Sequence, residues 1–413
     1  MQQLKQGKNI LTIFISIFSL FVIGITLSSI IFPALVISNL GIHENSINSF
    51  EIGHNASFLL LANIGISAFG VLYYKKKLPN SILKPVENIL QKNISKKYTV
   101  IIIIIVLIPY TIFTAPELFL DESLQAPDYG VFEEAKKIFP FGKTVFNLAA
   151  EQNDRYVRMI LLIGSIEIFQ NVKIIPFLGS IALLLVTYFF TNEITKNRFA
   201  GIISLLFLMQ SYTFLRYDSF AIYENFWVVF YVLSLYLIYK KFFTSSISYA
   251  LSILTKAFTA IFLPMSVVLI FYSELKIKTK VLLLSSYAIM FCFIITVWSF
   301  DASIYDSIIR FDLAQILIAL TKTSYQIRFD LLLLATLLPL TIGLIIKARN
   351  GSSLAAPVLF LITGSIFAGA IVEMLSDHFV ILPYRFIPTI VFFAVGIGVL
   401  FNYKMGEKHH EAL

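Results

Sequence analysis

Charge is scarce in this chain. Only 14% of its 413 residues are charged, against 58% hydrophobic, and the mean hydropathy is +0.84. A soluble domain carries roughly 25% charge. The composition therefore excludes a soluble globular fold and points to a polytopic membrane protein. Cysteine is nearly missing. Cys292 alone excludes an intramolecular disulfide and a cysteine-rich metal site, and its place inside an apolar run reads as a small buried hydrophobe. No Gly/Ser or Pro linker sets off a soluble domain, and no internal repeat is evident. The formal net charge of +8 does not signal nucleic acid, because the lysines cluster between apolar runs.

Those runs predict an all-α protein of about twelve transmembrane helices, each needing ~20 apolar residues. They lie at 10–38, 57–74, 99–115, 174–191, 199–215, 222–239, 245–255, 258–273, 280–299, 328–346, 353–373 and 380–402. Lys5 and Lys8 precede the first run, which is too long for a signal-peptide core and reads as a retained span. The segment 75–98 holds seven lysines against Glu87 alone. With Lys240–Lys241, Lys276/Lys278/Lys280, and Lys347 with Arg349, it marks the cytoplasmic side. Both termini are then cytoplasmic, provided that 156–170 is an interfacial helix and not a span. The division that follows is an N-terminal two-helix hairpin with its basic loop over 1–98, a core over 99–402 and a cytoplasmic tail over 403–413.

The outer face then includes a long acidic loop, 116–172. Asp121 and Glu122 open it, and Asp128 stands just before Tyr129, Phe132, Ala135 and Phe139, which recur at helical spacing. This predicts an amphipathic surface helix whose N-cap is Asp128. An N-cap and a catalytic carboxylate are compatible roles. Arg155, Arg158, Arg216, Asp218, Glu224, Lys256, His378 and Arg385 fall on the same side. Ionisable groups at membrane depth are costly and are functional candidates by default. A single terminal Arg or Lys also snorkels to headgroups, but cations on this side do not serve the positive-inside rule. Carboxylates and cations together beside a bilayer suit a phosphate-bearing lipid: the cations clamp phosphate oxygens, and a carboxylate takes a proton from an acceptor hydroxyl. Asp121 and Asp128 also supply oxygen ligands suited to Mg²⁺ or Mn²⁺.

In this arrangement the chain resembles the GT-C superfamily of membrane glycosyltransferases, in the branch of protein O-mannosyltransferases and lipid A aminoarabinose transferases. The resemblance covers 99–402. It is carried in order by Asp121-Glu122 and Asp128 with the helix after it, the juxtamembrane helix 156–170, Glu224 at the head of a span, the Leu254-Thr255-Lys256 turn, and Tyr384-Arg385-Phe386-Ile387-Pro388. It implies a polyprenyl-phosphate sugar donor, inversion at the anomeric carbon, and a glycan, lipid or protein acceptor on the extracytoplasmic face of the cell membrane. Asp128 or Asp121 would be the base, with Glu122 beside it and Glu224 in support. Lys256 and Arg385 would hold the lipid phosphate, joined by Arg155, Arg158, Arg216 and His378. The branch is largely metal-independent, so a divalent cation stays an open alternative.

Two other functions fit the composition. A transporter or flippase of a lipid-linked glycan or anionic lipid would place polar groups near the midplane, where this chain is almost purely apolar. A catalytically dead accessory subunit would have no need of Asp121, Asp128 and Lys256.

Overall fold

A computed structural model describes residues 2–34, 36, 50–90, 92–120, 156–221, 225–240, 242–299, 313–375 and 383–401. Among them every regular element is helical and there is no strand. The helices are α1 (Gln2–Ile31), α2 (Ala56–Tyr74), α3 (Asn80–Leu90), α4 (Lys96–Thr114), α5 (Tyr156–Phe169), α6 (Ile174–Thr195), α7 (Arg198–Met209) and α8 (Tyr212–Tyr217). They continue as α9 (Asn225–Lys240), α10 (Phe242–Thr255), α11 (Leu263–Tyr272), α12 (Ile277–Ser299), α13 (Leu313–Tyr325), α14 (Leu331–Arg349), α15 (Ala355–Leu375) and α16 (Ile387–Leu400).

Eight stretches among the described residues are long and apolar enough to cross a membrane. They are Asn9–Ile31, Ala56–Tyr74, Lys96–Phe119, Ile174–Thr195, Ile277–Ile294, Leu331–Arg349, Ala355–Val372 and Pro383–Leu400. The protein is thus multi-pass, and helical in every regular element among the described residues. The other expected spans are shorter helices. α7 and α9 have 12 and 16 residues, or about 18 and 24 Å at 1.5 Å per residue, against a hydrocarbon core of ~30 Å. Their apolar surface is covered by protein. α9 packs on α6 and α10, and α7 lies between α6 and α16.

Two expectations are corrected. The stretch 300–327, which the predicted runs 280–299 and 328–346 leave as a connecting loop, contains α13, which packs on α1 and α15. Ala319 and Leu320 are buried there, and Ser324 Oγ bonds Thr26 Oγ1 at 3.0 Å. Its apolar run is too short to read as a span, so only the partners reveal it. Cys292 is exposed rather than buried. It sits on α12 with exposed Ile289 and Phe293, an apolar surface that suits acyl chains as well as protein.

Small and polar side chains set the close contacts, as expected where apolar burial does not distinguish helix from lipid. A Cβ on Gly398 of α16 would overlap Ser204 Oγ and stand 2.8 Å from the Ala200 carbonyl oxygen, both on α7. Asn63 of α2 is buried and donates to the Leu334 carbonyl at 2.7 Å, while its Oδ1 accepts from the Leu338 amide at 3.0 Å. These backbone groups lie in the turn before Pro339 of α14. A proline removes a backbone donor and kinks a helix. The carbonyl that Pro339 leaves without a donor is that of Ala335, and Asn63 bonds the adjoining Leu334 carbonyl and Leu338 amide, holding the backbone beside the proline.

One end of the bundle gathers basic residues. Glu193 at the end of α6 pairs with Lys196, and with Lys240 of α9 at 2.7 Å. Arg198 donates to the Ile94 carbonyl at 3.3 Å. Lys347 donates to the Val399 and Leu400 carbonyls at 2.7 and 3.1 Å, capping the negative end of α16. Asn350 Nδ2 donates to Tyr74 Oη at 3.4 Å, bringing the end of α2 to this side as well.

Candidate functional site

The opposite end holds the end of α4, the starts of α6, α9, α14 and α16, and the end of α10. Three local structures build the site there. The first is the α7–α8 corner. Ser211 caps α8 by accepting from the Phe214 amide at 3.1 Å. Its hydroxyl also donates to Asp330, which caps α14 by accepting from the Leu333 amide at 3.3 Å. Burial raises the Asp330 carboxyl above its ordinary range, against the lowering by the Ser211 hydrogen bond.

The second is the turn that carries Lys256. Phe258 and Phe262 set their rings 5.3 and 5.5 Å from Trp227. Tyr231 Oη donates to the Phe262 carbonyl at 3.2 Å, and Tyr249 Oη to those of Thr259 and Ala260 at 3.2 and 3.1 Å. Aromatic pairs of this kind contribute about 0.5–1.5 kcal/mol each beyond their burial, so the backbone after Lys256 is firmly held. The third is the turn Pro383–Phe386, which carries Tyr384 and Arg385 into α16.

These pieces meet on a row of rings. Tyr384 lies 5.6 Å from Tyr217, and Tyr217 lies 5.4 Å from Phe220. The Lys256 ammonium and the Arg385 guanidinium both stand 5.9 Å from the Tyr384 ring. At the other end of the row, the Lys173 ammonium and the Arg216 guanidinium stand 5.6 and 5.9 Å from Phe220. Four cations thus flank three aromatics packed edge to face, within the range of cation–π attraction. Of the cations expected at the site, the structure brings Lys256, Arg385 and Arg216 together here. Arg158 is buried on α5, a helix that packs on α6 and α10.

Asp218 lies fully buried under the row. Tyr110 Oη donates to its Oδ2 at 2.7 Å, and Thr114 Oγ1 does so at 3.5 Å. Its backbone carbonyl accepts from Ser180 Oγ at 2.5 Å, and Ser180 in turn accepts from Asn225 Nδ2. Burial pushes the Asp218 carboxyl up to about 7, and nearby Glu117 adds to the rise. The hydrogen bonds of Tyr110, Thr114 and the Ser219 amide oppose it.

The acidic loop is tied down where it leaves α4. Lys173 Nζ donates to the carbonyls of Glu117 and Leu120 at 3.0 and 2.9 Å. Asn171 Nδ2 donates to the Leu118 carbonyl at 2.9 Å, and Ser219 Oγ to Glu117 Oε2 at 3.4 Å. Asp121, Glu122, Asp128 with its amphipathic helix, Arg155, Glu224 and His378 lie outside the described residues. The last described loop residue, Leu120, directly precedes Asp121, and buried Asn225 directly follows Glu224.

The sequence marks Asp218 as a costly charge on this side but not its partners Tyr110 and Thr114, nor Lys173 beneath the loop. A signal was present. Tyr110 and Thr114 are four residues apart in an apolar helix, which puts both hydroxyls on one face. Among the described residues no group of three or more His, Cys, Asp or Glu side chains is placed to hold a metal ion. No protein-family model, curated protein or solved structure matches the chain.

Proposed function

We propose that the chain is a glycosyltransferase that moves a sugar from a polyprenyl-phosphate donor to an acceptor hydroxyl. In this reading a GT-C-like core of about twelve helices places its site on the extracytoplasmic face. The observation that carries it is the meeting of Lys256 and Arg385 on Tyr384, from turns well separated in sequence. Two cations on an aromatic floor at a helix-bundle end suit a phosphate held at the lipid surface. The guanidinium offers a planar fork and the ammonium a compact charge.

The chemistry assigns a role to each group. The donor phosphate lies against Lys256 and Arg385, with the prenyl chain in lipid. The acceptor hydroxyl attacks the anomeric carbon from the face opposite the phosphate. Its proton passes to Asp128 or Asp121, the new glycosidic bond forms, and the bond to the phosphate oxygen breaks with its electron pair on the lipid phosphate. The two cations stabilise that growing charge. Arg216 extends the positive surface along the aromatic row. Lys173 and Asp218 are positioning residues: they fix the start of the loop that carries the base.

Asp128→Asn and Asp121→Asn, singly and together, test the reading in the purified protein with a radiolabelled polyprenyl-phosphate sugar. General-base catalysis contributes typically 10²–10⁴-fold, so one single variant loses transfer by that factor while eluting as folded protein. Wild-type transfer in the double variant would show the base to be elsewhere. Lys256→Ala and Arg385→Ala weaken donor binding; unchanged affinity in both removes the phosphate clamp.

A further inference from the structure

Helix α3 has no buried residue. Its sequence places Ile82, Leu83, Val86, Ile89 and Leu90 within one arc at 100° per residue, with Ser81, Lys84 and Asn88 opposite. Ile82 and Ile89 are 43% and 48% exposed. An apolar face this open, on a short helix, does not form for its own sake, since isolated helices of this length are marginal in water. Something outside the described residues covers it.

Three observations identify the cover. First, the connection runs between two candidate spans, ending at Tyr74 and starting at Lys96. Both joints lie at the basic end of the bundle, through Asn350 to Tyr74 and Arg198 to Ile94. The connection therefore leaves and re-enters the membrane at one surface, and α3 lies beside that surface. Second, Lys75, Lys76, Lys77, Lys84, Lys92, Lys96 and Lys97 are all exposed, and Glu87 is the single acid among them. That surplus of compact positive charge complements phosphate. Third, Pro85 stands inside α3. It cannot donate to the Ser81 carbonyl, and Ser81 is exposed. Water satisfies that carbonyl at a wet interface, whereas a dry helix interface would leave it orphaned.

We propose that α3 is an in-plane anchor for anionic phospholipid. Its apolar face enters the acyl boundary of the leaflet at the basic end, and the flanking lysines hold the headgroup phosphates. Each lysine near an anionic leaflet contributes about 1 kcal/mol, or roughly a fivefold change in the docked-to-undocked ratio. The neighbouring spans hold α3 at the surface, so docking is intramolecular and needs no further partner.

The test uses the full-length chain in vesicles, with Cys292→Ser and one new cysteine carrying an environment-sensitive fluorophore. In vesicles containing phosphatidylglycerol, labels at Ile82→Cys and Ile89→Cys shift to the blue and are quenched by nitroxide lipids. Labels at Ser81→Cys and Asn88→Cys stay aqueous. In pure phosphatidylcholine the signal at 82 and 89 falls. Lys84→Gln with Lys92→Gln lowers the docked ratio about 25-fold in the anionic vesicles. Aqueous labels at 82 and 89 in both lipids overturn the proposal, as does protection at all four positions, which means burial against protein. Equal protection with and without phosphatidylglycerol overturns the anionic-lipid assignment.

Discussion

The Lys173 ammonium donates to the Leu120 carbonyl at 2.9 Å, one residue before Asp121. Lys173 itself is 3% exposed. It also donates to the Glu117 carbonyl and faces Phe220. A single cation thus links the first turn of the acidic loop to the aromatic row that receives Lys256 and Arg385.

Lys173→Met breaks two charge-assisted bonds, each worth about 1.5–3 kcal/mol. Amide exchange at Glu117–Leu120 speeds up, and sugar transfer falls about 10–100-fold. Unchanged exchange there would show that the ammonium does not hold the loop.

Asp218 makes stability depend on pH. Its folded-state value, about 7, lies above the ordinary 3.8. Between the two the folded chain binds more protons than the unfolded chain, so stability falls as pH rises through that window and is full below it. In detergent, Asp218→Asn flattens the melting temperature between about pH 4 and 7. An unchanged slope would assign the pH dependence to other groups.

Asn63→Leu leaves the Leu334 carbonyl and the Leu338 amide of α14 without their side-chain partner. Burying unsatisfied groups costs about 1–3 kcal/mol each. Unfolding in detergent reads this as a lower midpoint, although leucine is the more apolar residue.

Gly398→Ala adds one methyl where α16 meets α7. With the Ala200 carbonyl 2.8 Å from that Cβ, the helices must separate, at about 1–3 kcal/mol. The same change at Gly65 of α2, where nothing lies within 4 Å, leaves the midpoint near wild type.

Ala126→Cys reacts with an impermeant maleimide from outside intact cells in a Cys292→Ser background. Asn88→Cys reacts only after permeabilisation. The reverse pattern would invert the orientation.

Much of the architecture is legible in the sequence, because lipid imposes a simple rule. Long apolar runs such as 99–115 and 174–191 have few alternatives to a helix, and both appear as α4 and α6. The reading of 156–170 as helical also matches α5. Short apolar runs are different. α13 is ambiguous until α1 and α15 cover it, and α3 lay hidden in a segment read only for its lysines. Of the site, Lys256, Arg385 and Arg216 stood out as costly charges near span ends, whereas a tyrosine and a threonine in a helix carry no such mark.

The sequence alone determined that the chain is a multi-pass helical membrane protein with its lysines gathered between particular runs. Apolar length and charge density are local properties, and the bilayer reads them locally. Only the tertiary structure decided that Tyr110 and Thr114 serve Asp218, that Lys173 ties down the acidic loop, and that Lys256 and Arg385 share one ring. Those contacts join residues scores of positions apart. They depend on how helices cross, which packing among the helices sets and no single run encodes.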